Sequence, residues 1–176
     1  MNASFPKPQS ASRLSASELR GRWRRLLEDP LLRSIPGKLE LNEKGAIEVS
    51  PATPRHGRLQ AWIAGELRRL RPDGTTITEC PVETELGIRV PDVVWASAGF
   101  MRGRGVDEPF THAPELCIEV VSPTNSRLEI DAKRAAYFAA GAVEVWLVAE
   151  NGAIEMFGAA GRTEASSLGI ALPPVP

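Results

Sequence analysis

The chain has 176 residues, 43% of them hydrophobic, and a formal net charge of −1, which suits one globular domain with a substantial core and not two. No stretch approaches the roughly 18 apolar residues of a membrane span, and the first ten residues lack the basic and apolar segments of a secretory signal, so we expect a cytoplasmic protein with no membrane partner. Cys80 and Cys117 come without a CxxC motif or a histidine cluster, which argues against a zinc site and against a disulfide framework.

The first half of the chain carries the signals of two helices with a hairpin between them. Ser15-x-x-Glu18 is a capping box before apolar residues at helical spacing. Thr53 can cap a second helix with Pro54 in its first turn, and the turn Pro72-Asp73-Gly74 ends that helix. The predicted elements are a helix over residues 16–29, a β-hairpin over 38–49 and a helix from residue 53 to about 71.

The second half changes to a β pattern that one helix interrupts. Ser126-x-x-Glu129 is a second capping box, and Gly141 supplies the left-handed residue that ends the helix. Asn151-Gly152 is a strong hairpin turn. The predicted elements are strands over 76–86 and 88–96, a mobile loop over 99–109, a buried strand over 116–121, a helix over 127–140, and a hairpin of strands 143–149 and 154–157.

The order α, ββ, α, ββ, β, α, ββ predicts a mixed α/β (α+β) fold with a central sheet flanked by helices. We expect residues 1–36 to form a helical extension of the same domain and residues 37–157 to form its core. Residues 158–176 are small and end in proline, and we expect them to be a peripheral tail.

Charge is distributed unevenly along the chain. Residues 1–71 contain 14 Lys or Arg against 7 Asp or Glu, whereas residues 72–176 contain 7 against 15. Of the 21 basic residues 17 are Arg, a side chain that makes bidentate contacts with phosphate. Arginine clusters at 20–25 and 55–71 therefore fit a nucleic-acid partner, and equally fit ordinary solvated helix faces.

Glu119 is the most informative single residue. It lies in the middle of the apolar run 116–121, where a buried carboxylate is costly unless it is paired or ligates a cation. Strand alternation places Cys117, Glu119 and Val121 on one face. The alternative is a carboxylate at a strand end that pairs with one of the many arginines.

Asp92 repeats this situation in the run Val90-Pro-Asp-Val-Val-Trp95. Taken alone it could be a simple Pro-Asp turn at the start of a strand. Two acids on neighbouring buried strands would repel each other, and a divalent cation between them removes that penalty. Oxygen ligands without a His or Cys cluster favour Mg²⁺ or Mn²⁺ over zinc.

Lys133 is one of only four lysines and lies on the helix that follows the Glu119 strand. Helical spacing groups it with Ile130 and Tyr137, so its ammonium could reach back toward the carboxylates. There it could stabilise developing charge or position a water molecule in phosphodiester hydrolysis. The alternative is an exposed lysine on an amphipathic helix.

The weaker candidates for auxiliary roles are His56, Glu83, Glu85 and Tyr137. His56 falls in the first turn of its helix and is expected to point inward, either as a packed, hydrogen-bonded side chain or next to a catalytic cation. Glu83 and Glu85 alternate on the strand before Asp92, and either could support the site from behind or belong to a solvated strand face.

Four segments together resemble the Uma-two family of restriction-endonuclease-like nucleases. They are Arg89-Val-Pro-Asp-Val-Val-Trp95, Pro114-Glu-Leu-Cys-Ile-Glu-Val-Val-Ser-Pro123, Lys133 with Tyr137, and Gly141-Ala-Val-Glu-Val-Trp-Leu-Val148. The resemblance runs from about Gly37 to Phe157. It implies the PD-(D/E)XK fold, Asp92 and Glu119 as metal ligands, and a homodimer.

The chain departs from the wider superfamily at Val121, where the motif has lysine two residues after the acid. The resemblance places the equivalent lysine at Lys133. The expected function is Mg²⁺-dependent hydrolysis of DNA, with Asp92, Glu119 and the backbone carbonyl of Val120 as ligands and Lys133 as the catalytic lysine. The alternatives are a non-catalytic nucleic-acid-binding or scaffolding domain with the same fold, and a nuclease that acts on RNA or on transposon intermediates.

Overall fold

The structure is a computed structural model that describes residues 12–51, 53–102, 104, 109–122 and 125–175. The helices in these residues are α1 (Ala16–Glu28), α2 (Pro30–Arg33), α3 (Pro54–Leu70), α4 (Ala98–Met101) and α5 (Arg127–Ala139). The strands are β1 (Lys38–Asn42), β2 (Ile47–Ser50), β3 (Gly74–Thr78), β4 (Val82–Thr84), β5 (Gly87–Arg89), β6 (Val93–Ser97), β7 (Leu116–Val121), β8 (Glu144–Ala149), β9 (Ile154–Gly158) and β10 (Gly161–Thr163).

The strands form two sheets. The larger sheet has six strands in the order β10-β9-β8-β7-β6-β3 and is mixed, because β7 and β8 are parallel while its other neighbours are antiparallel. The smaller sheet is antiparallel, with the order β2-β1-β5-β4. The mixed α/β class is confirmed, whereas the sequence predicted one sheet.

Helices cover both faces of the larger sheet and one face of the smaller sheet. Leu59, Ile63 and Leu67 of α3 pack against apolar residues of β6, β7 and β8. On the other face, Tyr137 of α5 packs with Cys117 of β7. Residues Leu19, Trp23 and Leu26 of α1 pack on the smaller sheet around Leu41 and Ile88, so the N-terminal helix belongs to the same domain.

The predicted pair of long strands, 76–86 and 88–96, is wrong. Each is divided in two, and the chain passes from the larger sheet to the smaller one and back. Pro81 and Pro91 lie at the two breaks, where proline removes a backbone donor that a continuous strand would need. Glu79 adds a bend with a positive φ of 51°. The turn lies at residues 85–86, and Gly87 (φ 105°) begins β5.

Residues 158–175 do not form the predicted peripheral tail. Gly161–Thr163 adds an edge strand to the larger sheet, and Ile170 is buried in the core beneath α3. The segment is held by Glu144, whose carboxylate accepts hydrogen bonds from the hydroxyl groups of Ser166 (2.9 Å) and Ser167 (2.6 Å). These hydrogen bonds therefore hold the segment around Ser166 and Ser167 against β8.

Two local predictions also need correction. Ser126 precedes α5, but its side chain makes no capping hydrogen bond, unlike Ser15, whose capping box is complete. Residues 103 and 105–108 of the predicted mobile loop 99–109 lie outside the described residues, and its first part belongs to α4.

Within the described part of the chain, no helix is long and apolar enough to cross a membrane.

Candidate active site

The site lies where the chain crosses between the two sheets. Strand β1 pairs with β5 in the register Leu41↔Ile88, and continuing this register by three residues brings Lys38 alongside Pro91. Asp92 follows directly, just before β6. Because β6 pairs with β7 in the larger sheet, Lys38 of one sheet meets acidic residues of the other.

Asp92 is the most tightly held of these acids, with a side chain that is only 1% exposed. Its Oδ2 accepts a hydrogen bond from the Val120 amide (2.7 Å), and its Oδ1 lies 2.7 Å from Lys38 Nζ and 3.2 Å from His56 Nε2. Burial alone would raise the pKa of Asp92, but the hydrogen bond from His56 and the charge of Lys38 hold it below its ordinary value. Asp92 is therefore an ionised carboxylate.

Glu119 is buried on β7, and its oxygens have different partners. Oε1 accepts a hydrogen bond from the Tyr137 hydroxyl at 2.6 Å, and Oε2 lies 3.2 Å from Lys38 Nζ. Burial raises the pKa of Glu119 in spite of Lys38 and Lys133, and the charge of Asp92 adds to the rise. The sequence alternative of an arginine partner is wrong, because Glu119 pairs with lysine and tyrosine.

Lys38 joins the two acids. Its ammonium contacts Asp92 Oδ1 and Glu119 Oε2 together, and its side chain is 11% exposed. Burial alone would lower the pKa of Lys38, but the charges of Glu119, Asp92 and Glu40 hold it above its ordinary value. A permanent positive charge thus occupies the position that both carboxylates share.

Lys133 is held by a third buried acid, Glu40. Lys133 Nζ lies 2.7 Å from Glu40 Oε2 and 3.8 Å from Glu119 Oε1. Glu40 Oε1 accepts a hydrogen bond from the Val90 amide (2.8 Å), and Oε2 is also approached by Arg89 at 3.4 Å. Burial opposes ionisation of Glu40, but Lys133 and Lys38 lower its pKa. The Lys133 ammonium is therefore fixed beside Glu119 by a second carboxylate.

Helix α3 supplies the other wall of the site. Thr53 caps this helix by accepting a hydrogen bond from the His56 amide, which turns the first helical turn toward Asp92. Gln60, one turn later, donates to the Asp92 carbonyl at 3.1 Å. The hydrogen bond to Asp92 raises the pKa of His56, so the imidazole carries more positive charge near neutral pH than an unpaired histidine.

These groups line an open cleft of about 430 Å³. Its inner wall contains Lys38, His56, Asp92, Glu119 and Lys133. The cleft therefore combines a pair of joined carboxylates with three cationic side chains, a charge pattern that suits a divalent cation together with an anionic substrate.

The family Uma2, described as "Putative restriction endonuclease", matches residues 28–169, which is most of the chain. The chain belongs to the Uma2 family. The Uma-two resemblance, first seen in its strand and helix motifs, is thereby confirmed. None of the curated proteins matches the chain significantly.

A solved structure supports the same fold for this Uma2 protein. The crystal structure described as "a putative nuclease belonging to DUF820", from Anabaena variabilis ATCC 29413, aligns with a TM-score of 0.62. The alignment covers 83% of this chain and 87% of that chain, at 19% sequence identity. The predicted restriction-endonuclease-like fold is confirmed.

The Uma2 fold gathers most of the predicted site residues at one place. Asp92, Glu119, Lys133, His56 and Tyr137 all lie within the contacts described above. Val120 is adjacent through its amide.

The two glutamates on the preceding strand do not join this group. Glu83 pairs instead with Arg20 of α1 at 2.6 Å, and Glu85 is exposed in the β4–β5 turn. Their predicted role behind the site is wrong, because neither residue lines the cleft and Glu83 is paired with α1.

Sequence reasoning missed Lys38 and Glu40. Both lie in β1 two residues apart, so strand alternation puts them on one face, the same reasoning that singled out Glu119. A signal was present in Lys-Leu-Glu-Leu, where a lysine and an acid alternate with leucines. The same pattern is typical of a solvated hairpin. Only the packing of the two sheets shows that the face with Lys38 and Glu40 is turned toward the site.

Proposed function

We propose that this chain is a nuclease that hydrolyses phosphodiester bonds of DNA with the help of Mg²⁺ or Mn²⁺. The observation that carries the proposal is the convergence of Asp92 and Glu119, from adjacent strands, on one cation position, with Lys133 and His56 beside it. Membership of a family described as restriction endonucleases supports the same reaction class.

The donor atoms fit a hard divalent cation. Among the described residues, no three His, Cys, Asp or Glu side chains form a ready-made metal cluster, so the ligands would be two carboxylates, a backbone carbonyl and water. Mg²⁺ typically binds through one or two carboxylates and keeps several waters. The Val120 amide faces Asp92, and since the N–H and C=O of one strand residue point to the same edge, its carbonyl can serve as the backbone ligand.

When bound, such a cation would supply Lewis-acid stabilisation of the phosphate and a more acidic water. The protein's own groups have separate tasks in this proposal. Lys133, held at 2.7 Å by Glu40, stabilises negative charge that develops on the phosphate. His56, which faces Asp92, is the titratable group available to accept or return a proton near neutral pH.

The test is cleavage of supercoiled plasmid DNA with Mg²⁺, with Mn²⁺ and with a chelator. We expect nicking only with the metal. Asp92→Asn should abolish cleavage and weaken metal binding, whereas Lys133→Ala should lower the rate by about 10² to 10³ and leave metal affinity nearly unchanged. Lys44→Ala, an exposed lysine in the β1–β2 turn, is the matched control and should cleave like the parent.

Three results would count against parts of this proposal. DNA that is bound but never cut would favour the alternative of a non-cleaving nucleic-acid-binding domain, and selective cleavage of an RNA oligonucleotide would change the substrate. Parental cleavage by Lys133→Ala would make Lys133 a structural residue and leave His56 as the main candidate for proton transfer. Circular dichroism must show that each variant is folded.

We also propose that the chain forms a homodimer. A duplex has two strands to be cut, and the Uma2 resemblance implies paired subunits. Light scattering at micromolar concentration should give twice the monomer mass of 19.0 kDa. A species of monomer mass under these conditions would contradict the proposal.

A further inference from the structure

We propose that Lys38 is an internal counter-ion that occupies the cation position between Asp92 and Glu119, and that a divalent cation binds only by displacing its ammonium. Lys38 would then set the metal affinity of the site. This inference rests on the proposed function, because it assumes that the two carboxylates are the metal ligands.

The contacts of Lys38 carry the inference. Its Nζ lies 2.7 Å from Asp92 Oδ1 and 3.2 Å from Glu119 Oε2. Of the other cations at the site, His56 contacts Asp92, and Lys133 approaches Glu119 only at 3.8 Å. Among the described residues, Lys38 is the cationic side chain that bridges both acids. It therefore removes the repulsion between two buried carboxylates, which is the task that a metal ion would otherwise perform.

The ammonium and a divalent cation exclude each other at this position. Mg²⁺ requires carboxylate oxygens at about 2.0–2.1 Å, so a cation that is bound by Asp92 Oδ1 and Glu119 Oε2 would take the place of Nζ. Like charges in such proximity are strongly unfavourable. Lysine has a flexible four-carbon stem, and Lys38 lines the open cleft, so its ammonium has room to swing toward solvent.

Lys38 differs in this respect from Lys133. Glu40 holds the Lys133 ammonium away from the shared position, so Lys133 can remain in place beside a bound cation. Lys38 would thus occupy the cation position until a metal ion displaces it, whereas Lys133 would stay in place and donate to the substrate.

The experiment measures binding of Mn²⁺ to the full chain through loss of the electron paramagnetic resonance signal of the free ion. It compares the parent with Lys38→Met, Asp92→Asn and Lys44→Met, the last being an exposed lysine of the same hairpin. We expect Lys38→Met to bind Mn²⁺ at least about tenfold more tightly, because like-charge competition is removed. Lys44→Met should bind like the parent, and Asp92→Asn should bind weakly.

Thermal unfolding provides an independent readout. Without metal, Lys38→Met should melt below the parent, because two buried acids lose their shared cation. Saturating Mn²⁺ should raise its melting temperature by more than it raises that of the parent, because tighter binding to the native state adds more stability. If Lys38→Met fails to fold, Lys38→Gln is the second variant, since it keeps a donor of similar reach without the charge.

The outcomes separate the inference from the proposed function. If Asp92→Asn weakens binding but Lys38→Met binds Mn²⁺ no tighter than the parent, the counter-ion inference fails and the metal site stands. Loss of DNA cleavage in Lys38→Met at unchanged metal affinity would likewise overturn the inference and make Lys38 a catalytic lysine. If parent, Asp92→Asn and Lys38→Met bind Mn²⁺ indistinguishably, the metal site itself is refuted.

Discussion

Replacing Tyr137 by phenylalanine isolates one buried contact of the site. The Tyr137 hydroxyl donates to Glu119 Oε1 at 2.6 Å, and the tyrosine side chain is fully buried. Phenylalanine fills the same space apart from the hydroxyl, so the loss is the hydrogen bond rather than a cavity. A hydrogen bond to a charged group contributes roughly 1.5–3 kcal/mol. Glu119 keeps Lys38 and Lys133 nearby, so we expect a loss of about 2 kcal/mol within that range.

Urea unfolding followed by tryptophan fluorescence measures this loss. The midpoint should fall with an unchanged slope, because the surface exposed on unfolding is the same. For a chain of this size the loss corresponds to a melting temperature lower by roughly 4–8 °C. A double-mutant cycle with Glu119→Leu, which removes the acceptor, supplies the control, since the coupling should account for most of the effect.

Two results would refute this reasoning. The first is a Tyr137→Phe protein that is destabilised by less than about 0.5 kcal/mol, which is the size of an ordinary surface substitution. The second is additivity of the two substitutions in the cycle. Either would mean that the hydroxyl does not hold Glu119, and that the lysines alone position the acid.

Further predictions concern glycine positions, acid stability and backbone strain. Gly65→Ala on the exposed face of helix α3 should raise the free energy of unfolding by about 0.5–1 kcal/mol, because Gly65 is exposed and an added Cβ meets nothing within 4 Å. Gly87→Ala should instead strongly destabilise the protein, since φ is positive and the Cβ would lie 2.1 Å from the Leu41 carbonyl oxygen; a stable Gly87→Ala protein would contradict the β1–β5 register. The pKa of Glu144 is lowered, because hydrogen bonds from its serine partners outweigh burial. The stabilising contribution of ionised Glu144 is therefore present above its ordinary pKa of 4.5 and is lost as the pH falls through its folded-state pKa. The difference in unfolding free energy between the parent and Glu144→Gln should shrink below that pH. A difference that does not change with pH would exclude a contribution from ionised Glu144. Glu79→Gly should be neutral or stabilising by up to about 1 kcal/mol because it relieves the positive φ, and Glu79→Ala should not show this gain; equal unfolding free energies for the two variants would argue against strain at Glu79.

Much of the fold could be predicted because its signals are local. The capping box at Ser15 and the Thr53 cap lie at the starts of α1 and α3, and Gly141 has the expected positive φ of 108°. Acids inside apolar strands drew attention to Asp92 and Glu119, because burying a charge is costly whatever the tertiary arrangement. These inferences depend on a few neighbouring residues only.

The remaining features depend on contacts between distant segments. Whether Lys38 and Glu40 face solvent or the site is decided by contacts with segments at least 50 residues away along the chain. The end of the chain is fixed by serine hydrogen bonds to Glu144, which composition does not reveal. The breaks at Pro81 and Pro91 did carry a local signal, because proline inside a run of strand residues is a reason to divide the strand, but the predicted strands do not divide there.

The residues that line the cleft come from β1, β2, α3, the segment just before β6, β7 and α5, and they extend along the chain from Lys38 to Glu150. During synthesis Asp92 and Glu119 leave the ribosome before Lys133 and Tyr137 of α5. An incomplete chain therefore carries the two site acids without the helix that completes their surroundings. Any activity of the cleft must therefore appear late, after the whole fold has closed. A truncated or partly unfolded copy would therefore lack a complete cleft.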